Sequence, residues 1–264
     1  MATVAEIREA FDKFAPSYMK LDFDNVGLLV GYPDHEVTKI TTALDITDEV
    51  IEEAVEAGSQ LIVSHHPLMF DAIKKVTEDD TKGKKIIKMI ENGISAICLH
   101  TNLDAAEGGV NDALMTALGG QVVGLLDPHG EHPDGTPYGV SRYGRLPAPT
   151  PFFDFLESVK ERLNCNGLRY VFSGRPVYKI ACCGGNGAMD MERAFNMGCD
   201  TYVTSDLKYD HFLWAKEFGL NLIDADHFCT ENVVIPVIVD VLHNEFHDIE
   251  VKIAENHGQT IQFY

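Results

Sequence analysis

The chain has 264 residues, 45% of them apolar, and a formal net charge of −20. That length supports one large domain or two small ones with a substantial core. No apolar run approaches the roughly 20 residues of a membrane span, and a surface this acidic repels nucleic-acid phosphates, which argues against membrane and nucleic-acid partners.

The first periodic segment, residues 3–15, places Val4, Ile7, Phe11 and Phe14 at helical spacing, and Pro16 ends it. Its acidic residues are unlike an export signal, so the expected compartment is the cytoplasm. The six cysteines form no C-x-x-C pair and read as buried free thiols. Cys182 and Cys183 are adjacent, and strand geometry sends them to opposite faces. After a glycine-punctuated turn and short strand (DNVGLLVG, 24–31), a pattern begins that later recurs.

KITTALD (39–45) reads as a strand, DEVIEEAVEAG (48–58) as a helix closed by Gly58, and SQLIVSHH (59–66) as a second strand with a polar end. KIACCGG (179–185), MERAFNMG (191–198) and CDTYVTSD (199–206) repeat this order at a constant offset. Lys39 matches Lys179, Ile40 matches Ile180, Glu52 matches Glu192, Ala54 matches Ala194, Gly58 matches Gly198 and Val63 matches Val203. Downstream, NGISAICLHTNLD and FGLNLIDADHFCTE each give a strand and then a histidine four residues before an acid, pairing His100/Asp104 with His227/Glu231. The Pro- and Gly-rich stretch 127–151 reads as a linker and hairpin. The expected fold is therefore α/β: two similar βαβ-containing lobes, 1–127 and 128–264, with mixed, largely parallel sheets.

The chemistry gathers at strand ends. LIVSHHPLMF delivers His65 and His66 at the carboxyl end of a buried strand, where open α/β sheets bind ligands. Adjacent residues should point to different sides, and such histidines also serve as surface or capping residues. ICLHTNLD ends in His100 with Asp104 one turn later, although Asn102 and Asp104 also suit helix capping. His227 and Glu231 stand at i and i+4, one face of a helix. Together, His65, His66, Asp104, His227 and Glu231, with His100 at or near the shell, suit a pair of divalent ions such as zinc, iron, manganese or nickel. Two such ions outweigh the charges of Asp104 and Glu231, which calls for an anionic small-molecule ligand such as a phosphate ester. CCGGNGAMD (182–190) departs from a dinucleotide fingerprint, because Asp190 occupies the third glycine position, and reads as a tight turn. Asp206 falls where His66 does in the first half, and Lys208 beside it could meet an anion.

The ordered set DNVGLLVG, SHHPLMF, HTNLDAAEGGVNDAL, CGGNGA, TSDLKYD and DHFCTE resembles the NIF-three-like family of dinuclear-metal proteins, also labelled GTP cyclohydrolase I type 2 homologues. The resemblance spans nearly the whole chain. It implies metal ligands at His65, His66, Asp104, His227 and Glu231, a two-lobed α/β fold with two metals between the lobes, and a ring-like homohexamer. It also implies a metal-dependent hydrolase of a nucleotide or phosphorylated small molecule, the alternative being a metal-handling or regulatory protein. Phe228 stands where the family usually has a second histidine, and Ser205-Asp206-Leu207 replaces the more common Gly-Asp. The chain resembles the short form that lacks an inserted domain.

Overall fold

A computed structural model describes residues 2–264. The chain divides into two compact units: one runs to Leu103 and takes back Ile235–Gly258, and the other comprises Asp104–Val234 with Gln259–Tyr264. Each is built on a mixed sheet with a parallel centre.

In the first unit the helix Val4–Phe14 begins with a capping box, in which Thr3 accepts from the Glu6 amide and Glu6 accepts from the Thr3 amide. Its buried face is Val4, Ile7, Ala10 and Phe11, close to the face expected from spacing. The sheet runs, edge to edge, Glu250–Ile253, Lys39–Ala43, Leu61–Ser64, Ser95–Cys98 and Gly27–Val30. The first four strands are parallel and the last is antiparallel. Leu61–Ser64 and Ser95–Cys98 are buried throughout, as strands covered on both faces must be. The helices Asp48–Ala57 and Thr81–Glu91 contribute Ile51, Ala54, Ile86 and Met89 to a core shared with Ile62 and Ala96.

In the second unit the order is Arg169–Val171, Asn221–Asp224, Thr201–Thr204, Val177–Cys182, Arg142–Thr150 and Gln121–Leu125. Asn221–Asp224, Thr201–Thr204 and Val177–Cys182 are parallel. Alternation along Val177–Cys182 and beyond sends Ile180 and Cys182 into one hydrophobic cluster and Ala181 and Cys183 into another, so the two cysteines do face opposite ways. All six cysteines are buried thiols, none of them in a disulfide among the described residues.

The repeat has a structural counterpart. Ile40 lies opposite Leu61 in the first sheet, and Ile180 lies opposite Thr201 in the second, the same relation carried forward by the constant offset. The third strand corrects the expected pairing. Cys98 lies opposite Ser64 and Asp224 lies opposite Thr204, so Asp226 corresponds to His100 and His227 to Thr101. The helices Thr101–Ala105 and His227–Glu231 confirm this one-residue slip. The histidine–acid spacing in the two halves is thus alike in sequence but not equivalent in position.

The compact units also differ from a single cut at 127. Arg142–Thr150, expected as linker, is a nine-residue strand paired with both Gln121–Leu125 and Val177–Cys182. A boundary at 127 would sever that ladder. Pro147 and Pro149 concealed the strand; they sit where its register with Val177–Cys182 is irregular, and proline is tolerated at such a break. At the other end, the helix Ile235–Glu245 leads to Glu250–Ile253, whose pairing with Lys39–Ala43 returns the chain to the first unit. Among the described residues no helix is long and apolar enough to cross a membrane.

Candidate metal centre

In the first unit the polar residues begin where the parallel ladder stops. Backbone bonds from His65 to the Ala43 carbonyl (3.3 Å) and from His66 to the Leu44 carbonyl (2.9 Å) anchor the chain just beyond Ser64. Strand alternation no longer applies there, so the expectation that the two rings diverge fails. The centroids of His65 and His66 are 5.0 Å apart, those of His65 and His100 5.3 Å, and those of His66 and His100 5.7 Å. One ring nitrogen from each of the three lies within 4.8 Å of the others, a separation at which one ion can be held.

The outer nitrogens explain the orientation. His65 Nδ1 donates to the Leu99 carbonyl at 2.8 Å, His66 Nδ1 to Asp45 Oδ1 at 2.7 Å, and His100 Nδ1 to Asp24 Oδ1 at 2.7 Å. A neutral imidazole that donates through Nδ1 keeps its Nε2 lone pair for a metal, the usual way a protein fixes a ligand histidine. Asp24 is itself held by the Thr101 amide (3.0 Å) and the Thr101 hydroxyl. Burial alone would raise its pKa, but the bonds from His100 and Thr101 prevail and keep it ionised well below the usual carboxylate range.

In the second unit His227 Nδ1 donates to Asp206 Oδ2 at 2.7 Å, while its Nε2 stands 3.0 Å from Glu231 Oε2. The expected i, i+4 relation is therefore present, on a single-turn helix whose N-cap is Asp226. Burial disfavours the charged ring, yet the carboxylates of Asp206 and Glu231 overcome it and His227 is pushed up to about 11. A divalent cation has the same electrostatic attraction to this pair of carboxylates. Asp104, buried at 6% exposure, belongs to this unit. Its carbonyl accepts from Asn111 Nδ2 (3.2 Å), and Asn111 Oδ1 accepts from the Gly184 amide (2.8 Å).

The glycine turn after Val177–Cys182 is not a phosphate cradle. The amides of Gly184, Gly185 and Gly187 donate to Asn111, Thr230 and Thr204 respectively. Gly185, at φ 61°, leaves room for the site: a Cβ there would run into Glu231 Oε1 and come within 3.1 Å of His227 Cε1. Phe228, the departure from the family pattern, packs against the hydrophobic cluster of this unit. Lys208 caps the helix Tyr209–Phe218 and lines a surface pocket with Asn186, Met189, Asp206 and His211.

The structure thus gathers His65, His66 and His100 in one unit and His227, Glu231 and Asp206 in the other. Of the residues that hold these groups, the repeat pattern singles out Asp206 without its role, and the contacts of Asp24, Asp45 and Asn111 emerge only from the structure. The signal for Asp45 was available: a carboxylate directly beyond a buried parallel strand, in a stretch already marked as repeated.

Histidines and carboxylates able to hold a metal ion, beyond the strand ends of mixed sheets, define an α/β protein with a candidate metal centre. Residues 2–259 match the Duf34/NIF3 (NGG1p interacting factor 3) model, and the chain belongs to that family. It is 35% identical to a GTP cyclohydrolase 1 type 2 homolog of Clostridium perfringens over 98% of each chain. A protein of the same description from Clostridium acetobutylicum is 34% identical, over 94% of this chain and 92% of that one. Among solved structures, a Bacillus cereus protein related to NIF3 superposes with a TM-score of 0.93 at 25% identity, covering 100% of this chain and 99% of that chain. Reduced HcgD from Methanocaldococcus jannaschii superposes with a TM-score of 0.79 at 29% identity, covering 96% and 98%.

Proposed function

We propose that the chain is a dinuclear-metal protein with His65, His66, Asp104, His227 and Glu231 as ligands and His100 beside them. We further propose that it works as a metal-dependent hydrolase of a nucleotide or other phosphorylated small molecule. The observation that carries the metal reading is the shared treatment of four imidazoles. Each of His65, His66, His100 and His227 directs Nδ1 to a carbonyl or carboxylate, which fixes the ring so that Nε2 is the nitrogen a metal ion would take; at His227 that ion would replace the proton between Nε2 and Glu231, now 3.0 Å apart. The donor set, imidazole and carboxylate oxygen, suits zinc, iron, manganese or nickel.

Bound ions would supply Lewis acidity, the chemistry that activates water and stabilises charge on phosphoryl oxygens near neutral pH. The chain's own part is to hold the ligands in one tautomer and to receive the substrate's anionic group. Lys208, on a pocket that also includes Asp206, offers a cation on an otherwise acidic protein. The names of the Clostridium relatives point to a purine nucleotide.

The test is elemental analysis of protein reconstituted with zinc, manganese, iron or nickel, followed by hydrolysis assays on nucleotides and phosphoesters. The expected result is a pair of ions per chain and turnover with at least one metal. Asp104→Ala should lose metal and turnover together. Hydrolysis that persists in chelator-treated, metal-free protein would refute the catalytic reading.

A further inference from the structure

Carrying the repeat from one unit to the other reveals an exchange of carboxylates. In the first unit Asp45, just beyond Lys39–Ala43, holds His66, just beyond Leu61–Ser64. In the second unit the position of Asp45 is taken by Gly185 and that of His66 by Asp206. A Cβ at 185 would overlap Glu231 Oε1, so a side chain there would have to displace that carboxylate. Asp206 supplies a carboxylate one strand further on, to His227.

The backbone at Asp206 supports a functional reading. Asp206 has φ 56°, and only Asn164 and Asp226 share a positive φ among the described non-glycine residues. At Gly185, Gly198 and Gly219 of the same unit the chain uses glycine for such turns. Glycine would remove the steric penalty at 206 as well, so the aspartate is kept against local preference. The other strained aspartate, Asp226, caps the helix that carries His227, with its side chain accepting from the Cys229 amide at 3.3 Å.

We propose that Asp206 is a positioning residue, held in a left-handed turn so that its carboxylate fixes the His227 ring with Nε2 presented to a metal ion. This rests on the reading of His227 as a ligand. Asp206 touches neither ion nor substrate in this role; it acts through the imidazole.

The experiment compares Asp206→Gly and Asp206→Asn with the unchanged protein by zinc calorimetry, thermal melting and proton NMR of the zinc-free forms. In the unchanged protein, the His227 Nδ1 proton, bonded to Asp206, should give a slowly exchanging downfield resonance. D206G should melt no lower, because glycine relieves the turn, yet lose that resonance and bind zinc about 10–100-fold more weakly. D206N keeps an oxygen acceptor and an αL-tolerant residue, so it should keep the resonance and fall between the two. Zinc affinity undiminished in D206G overturns the role of Asp206 alone. Should D206G fail to fold, unchanged affinity in D206N overturns it instead. An unchanged protein that takes up no zinc removes the ligand reading and this role with it.

Discussion

At the scale of single residues, the candidate centre depends as much on what holds its histidines and carboxylates as on those groups themselves. Gly185 illustrates this. Its φ of 61° is unfavourable for any side chain, and the space a Cβ would need belongs to Glu231 and His227. Gly185→Ala should therefore cost about 1–2 kcal/mol from the backbone alone. Displacement of the Glu231 carboxylate adds a separate loss of metal affinity. Thermal melting reads the first effect and zinc titration the second. A variant that is destabilised but binds zinc normally would show that Glu231 does not need this space. The residues legible from sequence were those whose type announces chemistry: His65, His66, His100, His227 and Glu231. Asp45 and Asn111 act through geometry, one by meeting a ring edge and the other by tying the Asp104 carbonyl to Gly184. Residue type and spacing carry no trace of the Asn111 contact, and for Asp45 they give only its place beyond a repeated strand.

At the scale of elements, the repeat was readable because helix ends and buried strands leave local marks. Gly58 and Gly198, matched by the repeat, have φ 68° and 76°, and a Cβ at either would meet nothing within 4 Å. Substitution by alanine should thus register the left-handed backbone penalty and little else, about 1 kcal/mol at each position. Parallel chemical melts of G58A and G198A would test this; a large difference between them would mean that the two caps are not equivalent. The one-residue slip after the third strands was not readable. Histidine and acid recur at the same spacing in both halves, and only the ladder registers show that His227 takes the place of Thr101 rather than His100. The strand Arg142–Thr150 was hidden for a different reason. Its burial is uneven and its prolines resemble those of a loop, while its identity comes from partners on both sides.

At the scale of the whole molecule, the chain order and the order of packing part company near the C-terminus. No periodicity along the chain calls for the return of Ile235–Gly258 to the first unit; the decisive interactions are long-range. Glu53, on the helix Asp48–Ala57, is 8% exposed and accepts from the Glu255 amide (2.9 Å), from the Asn256 amide (3.1 Å) and from Lys252 Nζ (3.2 Å). Burial opposes its ionisation, but these donors prevail and lower its pKa below the ordinary 4.5. A carboxyl with a depressed pKa contributes stability that is complete above its unfolded value and lost as pH falls through the folded one. Glu53→Gln should therefore cost about 1–3 kcal/mol at neutral pH, since a neutral amide serves these donors poorly. The difference between the two proteins should narrow as pH drops below about 4.5, where the carboxyl of the unfolded chain begins to take up its proton, and vanish as pH falls through the lower folded value. Denaturation midpoints of both proteins measured from pH 7 to pH 3 decide the matter. A gap that stays constant across that range would mean that Glu53 holds the returning segment by shape rather than by charge.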